Sequence, residues 1–133
     1  MDEPTYPEEL AWCRDDCKYC LVLTTCARRE DAERLAEGAV RERLAACGQI
    51  HAVESFYEWK GDLCRDAEWR VAFKARSDGY EALERWIVAH HSYEVPEIVR
   101  LPIAGGWEPY LDWIDACAKA PRCDAPTKGT RPA

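Results

Sequence analysis

The chain has 133 residues, with 18 Lys and Arg against 25 Asp and Glu, for a formal net charge of −7. That length suits one compact domain and excludes a large barrel or a two-domain enzyme. So acidic a chain is a poor binder of phosphate backbones, which need clustered Lys and Arg, and nucleic acid is not an expected partner. The 8 Cys and 6 Trp are the unusual part of the composition.

Residues 1–18 carry Asp2, Glu3, Glu8, Glu9, Asp15 and Asp16 against Arg14 and Lys18, with Pro4 and Pro7, and read as a flexible acidic extension. No basic start followed by an apolar run is present, so no secretory signal is expected. No stretch reaches the roughly 18–20 apolar residues of a membrane span. The expectation is a soluble cytoplasmic protein without a membrane partner, in which cysteines are thiols or metal ligands rather than disulfides. Cys13, Cys17 and Cys20 form C-x3-C-x2-C. The spacing is like that of radical S-adenosylmethionine enzymes, but the chain is too short for their barrel, and Cys20 opens an apolar run suited to a strand.

The ordered domain is expected at residues 19–117. Tyr19 to Cys26 is short, apolar and rich in strand formers, and reads as a buried central strand. Arg28 to Cys47 has helical periodicity, with Ala32, Leu35, Ala36, Ala39, Val40, Arg43 and Cys47 on one face, Gly48 as the stop, and Glu30–Arg34 and Glu37–Arg41 as pairs. Gln49 to Trp59 alternates and is aromatic; Lys60-Gly61-Asp62 is a turn signal, and Leu63 to Ala75 is the returning strand. Ser77 or Asp78 can cap a second helix, Gly79 to His91, whose stripe is Leu83, Trp86, Ile87 and His90. Pro96 breaks the chain, Ile98 to Ile103 is a last strand, and Pro109 to Ala116 a last helix. Residues 118–133, with Pro121, Pro126, Gly129 and Pro132, read as a disordered tail.

The order βαββαβ plus a helix predicts an α+β ferredoxin-like sandwich: an antiparallel sheet of spatial order 4-1-3-2 with two helices on one face. The first and last strands look apolar on both sides, so a second copy of the chain is expected on the other face. In this topology the end of the first strand at Cys26, the hairpin tip near Trp59 and the loop His91 to Glu97 meet at one end. A thiol, an imidazole and a carboxylate there make a reasonable transition-metal set, suited to copper or zinc. Each has a plain structural alternative: Cys26 as a buried strand-end residue, His91 as a helix C-cap, Glu97 as the partner of an Arg. Thr24, Trp59, Tyr93 and Glu94 are the expected neighbours. An enzyme is not expected: no glycines of a nucleophile elbow accompany Cys26, and no phosphate-cradling Gly-rich motif occurs.

Leu23-Thr24-Thr25-Cys26, Glu42-Arg43-Leu44-Ala45-Ala46-Cys47, Ser55-Phe56-Tyr57-Glu58-Trp59-Lys60-Gly61, Tyr80-Glu81-Ala82-Leu83-Glu84, His91-Ser92-Tyr93-Glu94-Val95-Pro96-Glu97-Ile98 and Tyr110-Leu111-Asp112-Trp113-Ile114 resemble, in order, segments of the CutA divalent-cation tolerance proteins. The resemblance implies a homotrimer of architecture like the PII signalling proteins and a divalent metal, copper above all, held by His91, Glu97 and a thiol that here is Cys26. The alternative it leaves open is a trimeric signalling or interaction module with a small ligand or protein partner in clefts between subunits. Two departures stand out: Ala27 follows Cys26 where the family usually has Pro, and Ser92 replaces the Pro of His-Pro-Tyr, leaving the loop less rigid.

Overall fold

The computed structural model describes residues 16–118. Cys13 and most of both expected extensions lie outside them. The elements are β1 (Tyr19–Cys26), α1 (Arg29–Arg41), β2 (Cys47–Trp59), β3 (Asp62–Arg76), a 3-10 turn at Ser77–Gly79, α2 (Tyr80–His90), β4 (Val99–Ile103) and α3 (Glu108–Cys117). The sheet order β2-β3-β1-β4 is the expected ferredoxin-like one, and β1 lies antiparallel to both neighbours.

Alternation along β1 explains the two sides of the sheet. Cys20, Val22 and Cys26 face a core with Ala32, Leu35 and Ala39 of α1, Val71 and Phe73 of β3, and Leu83 and Ile87 of α2. The other side is not wholly without a helix, as the sequence suggested. Tyr19, Ala46 and Ile114 form a second core with Ile103, Tyr110 and Trp113, so α3 covers that end. Asp115 ties α3 down through Lys18 at 3.1 Å and Arg76 at 3.1 Å. Further along, the outer face stays open. Leu21 lies across from Leu101 and Leu23 from Val99, and Val99 and Leu101 are 44% and 42% exposed.

The first helix is shorter than its periodicity predicts. It ends at Arg41, because Arg43 turns into the left-handed region at φ 60°. The amides of Leu44 and Ala45 both donate to the Ala39 carbonyl, and the chain reverses into β2. Cys47 therefore belongs to a strand rather than to the helix face, and Val40 is exposed. Gly48 is not the helix stop. It lies in β2, where an added Cβ would sit 3.1 Å from the Cβ of Ala36, so its missing side chain lets α1 lie close on the sheet. Of the two expected pairs, Glu37–Arg41 forms, while Arg34 turns to Asp31 and Glu30 to Arg28.

The hairpin turn has Lys60 at φ 52° and Gly61 at φ 85°, with Trp59 across from Asp62. Two successive positive φ values mark a type I′ turn, whose twist matches that of the paired strands. Neither Ser77 nor Asp78 caps α2. Asp78 instead takes a two-bond fork from Arg76 at 2.6 and 3.0 Å. His90, expected on the packed stripe, is exposed. Its ring stacks on Trp86 at 4.4 Å and its Nδ1–H donates to the Trp86 carbonyl at 2.7 Å.

Candidate functional site

Cys26 ends β1 and His91 follows α2, and the antiparallel layout brings them together: Cys26 Sγ is 3.9 Å from His91 Nε2. Because β1 is central and flanked by both helices, Cys26 is fully buried. Burial, reinforced by the charges of Asp31 and Glu68, pushes its thiol up to about 11.

His91 is held on both ring nitrogens. Nε2 lies 2.9 Å from the carbonyl of Thr25, which can only accept, so Nε2 carries the proton. Nδ1 accepts the backbone N–H of Tyr93 at 3.0 Å. These partners define one neutral tautomer. Burial lowers the His91 pKa, with the Thr25 carbonyl acting in the opposite direction.

Glu97 does not join this pair. It faces Arg70, with Nη2 to Oε2 at 3.7 Å. Thr24 is buried in the β1 core with Oγ1 lacking a partner. Trp59, Tyr93 and Glu94 do come together: they line one open cleft of about 890 Å³ between the hairpin tip and the 91–97 loop, and Glu97 lines it too. Besides Tyr57 and Lys60 of the hairpin, sequence reasoning missed two carboxylates of that cleft, Asp66 and Glu68. They lie on the even-numbered side of β3, opposite Val71 and Phe73. The type I′ register set by Lys60-Gly61 was the signal that places Asp66 and Glu68 across from Ser55 and Val53. The two carboxylates hold the tyrosines of the cleft: Tyr57 Oη–H donates to Asp66, and Tyr93 Oη–H donates to Glu68 at 2.7 Å.

A metal ion is the group the sequence pattern raises, and its fit can be judged on this geometry. The 3.9 Å separation of sulfur and nitrogen is close to the ~3.6 Å between two ligands on one tetrahedral ion. The protonation pattern is not compatible. Ligation through Nε2 needs that nitrogen bare and the proton on Nδ1, where it would oppose the Tyr93 N–H. The thiol would also have to ionise against its burial, and Glu97 is turned to Arg70. In this arrangement the three residues do not fit a metal ion. Among the described residues no group of three or more His, Cys, Asp and Glu is placed to hold one.

Comparison with known proteins gives the family. The model of the CutA1 divalent ion tolerance protein matches residues 20–117. The chain belongs to the CutA1 family. The divalent-cation tolerance protein CutA of Thermus thermophilus is 41% identical over 95 residues, which are 71% of this chain and 92% of that protein. The chloroplastic CutA of Arabidopsis thaliana is also 41% identical over 95 residues, 71% of this chain but 52% of the relative, so the match spans about half of that protein. Among solved structures, CutA1 from the psychrotrophic bacterium Shewanella sp. SIB1 superposes with a TM-score of 0.75 at 39% identity, over 78% of this chain and 98% of the other. Oryza sativa CutA1 also gives 0.75, at 36% identity, over 78% and 96%. The CutA1 match ends within the described residues, and no helix among these is long and apolar enough to cross a membrane.

Proposed function

We propose that this CutA1-family chain acts in divalent-cation tolerance as a homotrimer. The observation that carries the assembly is the open apolar stripe of Leu21, Leu23, Val99 and Leu101 on the face α3 leaves bare. Half-exposed aliphatic residues in register on two paired strands are what another copy of the same sheet covers. Light scattering after size exclusion tests it: the expected mass is three times the 15.2 kDa of the chain. A monomer at micromolar concentration overturns the assembly.

The cleft favours the second reading, a module of PII-like architecture whose ligand or partner binds beside the hairpin. It is the feature of suitable size among the residues where β1, the hairpin and the 91–97 loop converge. Copper or another divalent transition ion at Cys26, His91 and Glu97 is the competing reading. It requires the 91–97 loop to release both ring nitrogens of His91 and Glu97 to leave Arg70. Copper calorimetry on the wild type and on the Cys26→Ser/His91→Gln/Glu97→Gln variant separates them. Stoichiometric binding that the variant loses supports the ion centre. No stoichiometric binding, or binding the variant keeps, supports the cleft reading.

A further inference from the structure

Glu68 is 9% exposed, and no Lys, Arg or His nitrogen among the described residues makes an ion pair with it. A carboxylate so withdrawn from water is unfavourable unless a cation or several donors compensate it. Here Glu68 has one recorded donor, the Tyr93 hydroxyl. It lies in the wall of the cleft, with Asp66 and Glu94 nearby. The lining holds four carboxylates and one amine, that of Lys60.

Three aromatic residues, Tyr57, Trp59 and Tyr93, share the rest of the wall with Thr25, Ala27, Ala67 and Val95. Trp59 lines the cleft and is 57% exposed, so its indole is accessible to a ligand there. Both phenols are oriented by donating to carboxylates, which leaves the rings electron-rich toward a cation. Aromatic faces with carboxylates beside them recognise ammonium groups carried on alkyl chains. The volume of about 890 Å³ suits a small molecule and far exceeds an ion.

We propose that this cleft binds an organic polycation, a linear aliphatic polyamine, with one ammonium on Glu68, others on Asp66 and Glu94, and the methylene segments against Trp59, Tyr57 and Tyr93. The inference deepens the cleft reading above by giving the chemical class of its ligand.

The test is calorimetric titration of the full chain with spermidine, on a sample whose mass is measured by light scattering. Saturable binding of one spermidine per subunit is expected. Glu68→Gln should weaken it about tenfold or more, since a charged hydrogen bond is lost. Trp59→Leu should weaken it about threefold or more through the lost cation–π contact. Glu81→Gln, an exposed carboxylate on α2 outside the cleft, should leave it unchanged. Glu94→Gln is a second, exposed variant that keeps the test open should Glu68→Gln fail to fold. Heat without saturation overturns the proposal, as does equal affinity in the wild type, Glu68→Gln and Trp59→Leu. Displacement by magnesium at the same concentration also overturns it, because that marks a general counter-ion. A trimer that does not take up spermidine overturns the polyamine site and leaves the assembly standing. A monomer that binds it does the reverse.

Discussion

His91 Nε2–H donates to the Thr25 carbonyl at 2.9 Å, which pins the loop after α2 to the end of β1 across 66 residues of sequence. The same ring accepts the Tyr93 amide on Nδ1, so the contact exists only for the neutral imidazole. Protonation puts a hydrogen on Nδ1 against the Tyr93 N–H, and burial already holds the pKa below the usual histidine value. The unfolded chain therefore binds this proton more readily than the folded one, and stability rises with pH across the interval between the two pKa values. The contribution is complete above the ordinary histidine value of about 6.5 and is lost as pH falls toward the depressed folded one. Urea unfolding at pH 7.5 and pH 5.5 should show a larger drop for wild type than for His91→Gln. Equal drops would remove His91 from the pH dependence.

Cys26 should be chemically silent in the folded protein. It is fully buried, and burial with Asp31 and Glu68 raises its thiol to about 11, so at pH 8 about one molecule in a thousand would carry the thiolate that alkylating reagents attack. Peptide mapping after iodoacetamide treatment at pH 8 should find Cys64, half-exposed in β3, modified well before Cys26. In urea the two rates should converge. Early labelling of Cys26 would mean that the end of β1 opens readily.

The contact between α1 and α2 depends on the absence of one methyl group. A Cβ on Gly38 would lie 2.6 Å from Cζ2 of Trp86. In an isolated helix Gly→Ala gains about 1 kcal/mol, whereas overpacking costs about 1–3 kcal/mol. Gly38→Ala should therefore lose about 1 kcal/mol net, seen as a lower midpoint in urea at unchanged m-value. In a Trp86→Leu background the same substitution should turn neutral or stabilising, a coupling that a double-mutant cycle reads directly. The absence of coupling would show that the indole swings aside freely.

Lys60 occupies the left-handed region at φ 52°, next to Gly61 at φ 85°. A lysine gains nothing local there, whereas asparagine tolerates that conformation and Asn-Gly is the favoured I′ pair. Lys60→Asn should raise stability by about 0.5–1 kcal/mol. Gly61→Ala should lower it by about 1 kcal/mol, because a side chain is forced into the conformation that glycine alone takes freely. Thermal unfolding of the two variants should move in opposite directions.

Much of the architecture was legible along the chain. The apolar run Tyr19–Cys26, the Lys60-Gly61 punctuation and the period of the two helices set element type and order, and that order leaves few right-handed ways to fold. The meeting of Cys26 with the 91–97 loop follows from the same topology. What failed was local. Periodicity ran α1 on through Arg43 to Cys47 because small and apolar residues continue there, while Arg43 in fact reverses the chain. His90 has the spacing of a core residue, yet its ring finds Trp86 at the rim instead.

The CutA1 segments, the sheet order and the loop that approaches the first strand can all be read along the chain, because hydrophobic period and turn chemistry act over short range. What those residues can do is set by the folded arrangement. The tautomer of His91 depends on two backbone partners, the Thr25 carbonyl and the Tyr93 amide. That Glu68 is buried against the Tyr93 hydroxyl depends on its neighbours in space. Side-chain spacing cannot encode either, because hydrogen bonding and desolvation are set by what surrounds a group in three dimensions.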